Sequence, residues 1–194
     1  MPARATAMRL DVSPTPDRLD AELDALQVRL PDYLRHARRL PDAPGLPHYR
    51  LHVRTADGEH YVYVHDPVTG RLAGCTVFNR LVEIDKRLDP YVRSPHSRYR
   101  PRDQRRGLAS WIYGHMLASG VCLLSGARQS PAAHALWRAL GARFPLTHAQ
   151  LRRRQLHDLG TSVSPAQLDA LETRLLLCGA GWNATRLAGL CALP

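Results

Sequence analysis

The sequence predicts a mixed α/β (α+β) domain, with a mostly antiparallel sheet flanked by helices and a helical C-terminal extension. Three observations lead there. Between residues 49 and 78, three runs rich in β-branched and aromatic residues are separated by turn sequences. Amphipathic helical spacing occurs before that region and again after residue 107. A short apolar strand, "VCLLS", then stands between two helical stretches.

Taken in order, "TAMRLDV" (6–12) alternates as a first strand, and "SPTP" breaks it. Leu19, Leu23, Leu26 and Leu30 recur on one face of a helix that begins near Asp17. Pro31 is expected to close this helix and open a second one ending near Leu40. "YRLHVR", "HYVYVHD" and "RLAGCTVF", joined by "ADG" and "DPVTG", form an antiparallel meander. A further strand is expected around 95–100, and a helix runs from Gly107 to about Ser119-Gly120. Ser130 caps another helix, with Pro131 in its first turn and Ala133, Leu136, Trp137 and Leu140 on its inner face. "FPLTHAQL" reads as a strand and "RRR" (152–154) as a solvated turn. Ser164 and Gln167 have the spacing of a capping box, opening a helix whose apolar face is Leu168, Leu171 and Leu175. The expected division is a domain over 1–154 and the extension over 155–194, packed on that domain or on a partner.

With 194 residues, 44% hydrophobic and 23% charged, the composition is that of a globular chain. No apolar run reaches transmembrane length, and the N-terminal stretch lacks a signal-peptide core, so a cytoplasmic protein with no membrane partner is expected. Four widely spaced cysteines read as reduced, buried thiols. The formal charge is +10, from 27 basic and 17 acidic residues, and every basic residue but Lys86 is arginine. Such a surface attracts phosphate groups, on a nucleotide, a nucleic acid or an anionic lipid. Neither an H-x-x-x-H pair nor a Cys/His cluster occurs, so no metal is expected.

The most chemically pointed stretch is "PRDQRRGLASWIY" (101–113), where a cation-rich loop meets a glycine and then a helix. Helix-initial amides lack intrahelical partners and carry partial positive charge, so they can donate to a phosphate; glycine removes the Cβ from its approach. The triphosphatase P-loop and the Rossmann glycine patterns are both absent.

This stretch resembles the signature of the GNAT superfamily of acyl-CoA-dependent N-acetyltransferases. That signature is Gln or Arg, two residues, Gly, one residue, then Gly or Ala, and Gln104, Arg105, Arg106, Gly107, Leu108 and Ala109 meet it. Tyr99-Arg100-Pro101 stand where the family often has an apolar residue, any residue and a proline. The later stretch "SPAAHALWRALGA" is similar to a second family block, with Ser130, Trp137 and Ala142 in place of its Asn, Tyr and Phe. The likeness covers about three quarters of the chain.

The resemblance implies acetyl-CoA as co-substrate and direct attack by an amine in a ternary complex. Amides from Arg105 to Ala109 would hold the pyrophosphate, and backbone near Tyr99 the pantetheine arm. The family's tyrosine acid is not carried over, because Trp137 stands in its place and an indole N–H is no proton source at neutral pH. His96 is the candidate general base, with Glu83, Asp85 and Asp89 behind it, and Ser130 is a second candidate catalytic residue besides its capping role. The acceptor is expected to be an amine on a small molecule or a protein. Two alternatives stay open: a nucleic-acid-directed acyltransferase, acting for example on charged tRNA, and an idle acyl-CoA-binding module. A homodimer is compatible with the extension.

Overall fold

A computed structural model describes residues 15–192; the strand expected at 6–12 lies outside them. The chain divides into two compact units, one built from residues 15–79 and 95–113, the other from residues 80–94 and 114–192.

In the first unit, helix α1 (Pro16–Arg35) lies on a meander of strands β1 (Arg38–Arg39), β2 (Arg50–Ala56), β3 (Glu59–His65) and β4 (Leu72–Asn79), followed by β5 (Val92–Tyr99). The first four strands pair antiparallel, with Arg50 opposite His65 and Ala56 opposite Glu59. The β2–β3 turn places Asp57 and Gly58 at positive φ, 54° and 78°, as a two-residue turn of this hand requires. Leu19, Leu23 and Leu30 of α1 are buried against Tyr63, Leu72 and Cys75. Each such leucine contributes roughly 1.5–3 kcal/mol by leaving water. The expected break at Pro31 does not occur: it sits inside α1, exposed, and the helix runs on to Arg35. The missing Pro31 amide removes a single helical bond, the one to the Gln27 carbonyl. After α1 comes the short edge strand β1, not a second helix.

In the second unit the sheet order is β5, β6 (Cys122–Leu124), β9 (Thr173–Leu177), β7 (Leu146–Arg152) and β8 (Gln155–Gly160). Val92 and Arg93 pair parallel with Cys122 and Leu123; the other pairings are antiparallel. Helices α3 (Pro131–Gly141), α4 (Pro165–Asp169) and α5 (Ala184–Ala192) complete it. A buried cluster includes Leu88, Val92, Leu124, Leu156, Leu176 and Leu187. Helix α2 (Leu108–Ala118) passes along the chain from one unit to the other.

The sheet is thus mixed and mostly antiparallel, as expected. The 155–194 segment carries α4 and α5 but also two strands, β8 and β9. The long helix expected through Leu168, Leu171 and Leu175 is corrected: α4 ends at Asp169, and Leu175 lies on β9 with its side chain buried. The 3.6-residue spacing was coincidental. "TRLLL" forms a strand buried on both faces, and such a run carries no alternation to betray it.

Candidate functional site

The stretch singled out in the sequence lies wholly in the first unit and is built outward from the end of β5. Arg100, 3% exposed, fixes that end. Its Nε donates to the Leu72 carbonyl at 2.8 Å, while Nη1 and Nη2 meet Asp20 and Asp24 of α1 at 2.9 and 2.5 Å. A short 3-10 turn (Pro101–Asp103) follows, and the buried Tyr49 hydroxyl donates to Asp103 Oδ1 at 2.7 Å. Burial and this neighbouring carboxylate push the Tyr49 hydroxyl up to about 12, so it stays a donor. Gln104 Nε2 donates back to the Tyr99 carbonyl at 2.9 Å, closing the loop on itself.

Between these anchors and the helix, the backbone alternates in hand. Arg105 has φ +57° and Gly107 φ +84°, with Arg106 between them at negative φ. Such alternation turns successive amides toward one side, the concave form that binds anions. The Gly107 carbonyl accepts the first bond of α2, from Trp111 N–H at 2.9 Å. Among the described residues, the amides from Arg105 to Ser110 have no acceptor. No acidic residue occupies the first turn of α2, and Arg102, Arg105 and Arg106 are exposed around its start.

The reason for the glycine is sharper than the sequence suggested. A Cβ on Gly107 would meet nothing within 4 Å, so the position is open, and the left-handed backbone is what selects glycine.

Tyr99 is buried, and its hydroxyl is 2.7 Å from Thr76 Oγ1. Thr76 in turn meets Ser97 Oγ at 2.8 Å, and Ser97 donates to the Tyr113 hydroxyl at 3.2 Å. This hydroxyl chain ties β4, β5 and α2 together beneath the loop, and burial pushes Tyr113 up to about 12. Nothing in the sequence pointed to Thr76, Ser97 or Tyr113. Their contacts join residues 16 to 23 positions apart, a separation no local pattern encodes.

His96 is exposed on β5, and its Nε2 accepts from Arg98 Nε at 3.2 Å. Arg98 also meets Glu22 at 2.9 Å. Ser130 belongs to the second unit, where its Oγ accepts from Ala133 N–H at 3.1 Å as the cap of α3; Trp137 is buried on that helix. The carboxylates behind His96 also lie in the second unit. Asp85 accepts from Arg87 Nε at 3.0 Å and from the Arg87 amide at 2.8 Å, which hold it down at about 2. Asp89 is gripped by Arg80 at 2.6 to 3.1 Å and is likewise lowered. Both are poor proton acceptors. Among the described residues, no group of three or more His, Cys, Asp or Glu is placed to hold a metal ion. Nor is any helix long and apolar enough to cross a membrane.

No protein-family model matches the sequence, and neither does any curated protein. Among solved structures, the chain is similar to a GNAT superfamily phosphinothricin acetyltransferase from Sinorhizobium meliloti in complex with AcCoA. The identity is 14% over 88% of both chains, with a TM-score of 0.38. It is also similar to RimL, a ribosomal L7/L12 alpha-N-protein acetyltransferase in complex with coenzyme A, at 12% identity and a TM-score of 0.37. That likeness covers 87% of this chain and 90% of the other.

Proposed function

We propose that the protein is a GNAT-type N-acyltransferase that moves an acetyl group from acetyl-CoA to a primary amine. The observation that carries this reading is the run of six amides, Arg105 to Ser110, left without acceptors at an open, left-handed helix entry. A pyrophosphate supplies several acceptor oxygens to such a run, and the helix dipole favours its charge. The exposed arginines, which would repel the helix start when no anion is bound, then become part of the attraction.

In the reaction, a neutral amine attacks the thioester carbonyl. A C–N bond forms as the C–S bond breaks; the nitrogen releases its extra proton to water, and the sulfur leaves as thiolate and takes a proton from water. Before attack the ammonium must lose a proton, and His96 is the proposed acceptor. Its Nε2 would first have to exchange the Arg98 bond for one to the amine.

Calorimetric titration of acetyl-CoA tests the reading. Micromolar binding is expected for the native chain, with loss of at least a hundredfold in Gly107→Glu, which sets a carboxylate at the helix start. S-acetylpantetheine, which lacks the pyrophosphate, should bind far more weakly. Equal binding of the two ligands, or no binding of acetyl-CoA, would reject the cradle. In turnover, His96→Ala should lower kcat and remove the acid limb of the pH profile, which a merely structural change would leave in place.

A further inference from the structure

The β7–β8 hairpin of the second unit turns through Arg153 and Arg154, between the paired Arg152 and Gln155. Both turn residues have positive φ, 48° and 67°. Asn-Gly makes this kind of turn with little strain, whereas two long side chains do not. The turn is nonetheless held firmly. The Asp85 amide donates to the Arg154 carbonyl at 2.7 Å, and Arg154 Nη2 and Nε donate to the Ile84 carbonyl at 3.1 and 3.3 Å. Arg153 makes no hydrogen bond or ion pair among the described residues, so its guanidinium is presented rather than used.

Two adjoining depressions, of about 480 and 620 Å3, share Leu151, Arg153 and Glu172 in their walls. The first adds Glu83 and Arg174 and two strongly exposed apolar residues, Val82 (84%) and Leu171 (50%). The second adds Arg152 and His157. Arg174 donates to the Leu171 carbonyl and is partly desolvated, yet no carboxylate lies within ion-pairing distance of it among the described residues. The Glu83 and Glu172 carboxylates make no hydrogen bond or ion pair there, and each attracts Arg174 only from a distance. The groove therefore combines cations in excess of its two carboxylates with an apolar rim, and the Arg153 guanidinium in it is unengaged among the described residues.

We propose that this groove is a docking surface for an extended acidic peptide segment of a partner protein, with apolar residues between its carboxylates. The acidic side chains would meet Arg153 and Arg174 in charge-assisted bonds, and the apolar ones would cover Val82 and Leu171. Glu83 and Glu172 would accept backbone amides of the same segment. A nucleic acid suits the groove less well. Those two carboxylates repel phosphate, and no Phe, Tyr or Trp lines the walls for base stacking.

The test is fluorescence anisotropy at low salt with a short labelled peptide alternating glutamate and valine, its lysine–valine counterpart, and a short polyuridylate strand. The acidic peptide should bind at least tenfold more tightly than either other probe. Arg153→Gly and Val82→Asp should each weaken it at least tenfold, without lowering the thermal midpoint. Equal binding of the two peptides, no binding of the acidic one, preference for the RNA, or indifference to both substitutions would overturn the proposal.

Discussion

Gly74 and Gly107 lack a side chain for opposite reasons, and the difference is measurable. A Cβ on Gly74 of β4 would run into the Arg98 carbonyl, the Tyr99 ring and Tyr99 Cα at 2.8 Å, all on β5. Gly74→Ala should therefore lower stability by about 3 kcal/mol, as overpacking does when backbone must yield. At Gly107 the space is open and only φ resists, so Gly107→Ala should cost about 1 kcal/mol. Urea denaturation of both variants checks the order, and equal losses would contradict it. His52 and His65 make a third case. Their rings stack at 5.1 Å and share a contact of 3.2 Å between Nε2 and Nδ1. Burial first, then neighbouring cations, lowers both from an ordinary value near 6.5. A depressed histidine gives stability that is complete above its unfolded value and is lost as pH falls below it. The thermal midpoint should thus drop on acidification from pH 6.5, and less so in a His52→Gln, His65→Gln variant.

At the scale of elements, what the sequence disclosed is what side chains do to their own neighbours. The Ser130 cap and the Ser164–Gln167 capping box both form, because each needs only residues three apart. Ser130→Ala should destabilise the protein by about 1 kcal/mol, read by chemical unfolding. The meander was legible through its turns, and α1 through its leucines. What was hidden depends on the rest of the chain. Pro31 stays helical because leucines on both sides of it along α1 pack on the meander, and β9 is a strand because β6 and β7 flank it. The Arg153-Arg154 turn was legible as a turn but not in its handedness. Arg153→Gly should keep or raise stability, by up to about 1 kcal/mol, since glycine relieves the positive φ but orders at higher entropic cost.

For the whole molecule, the proposed cradle was legible because a helix entry is local. Gln104 to Ala109 announce themselves in six residues, whereas the hydroxyl chain Thr76–Ser97–Tyr113 beneath them becomes visible only in three dimensions. The anchoring pairs Arg100–Asp20 and Arg100–Asp24, across 76 to 80 residues, were likewise invisible. The four cysteines are free and buried, so a thiol reagent should label them slowly in the native protein and fully after unfolding.

Strand β9 also bears on how the chain is made. In synthesis from the N-terminus, β6, β7 and β8 emerge before Thr173, yet β9 is the strand that joins β6 to β7. Until it arrives, both of those strands present unpaired edges, the surfaces on which nascent chains aggregate. The second unit can close its sheet only once the ribosome has delivered Thr173–Leu177.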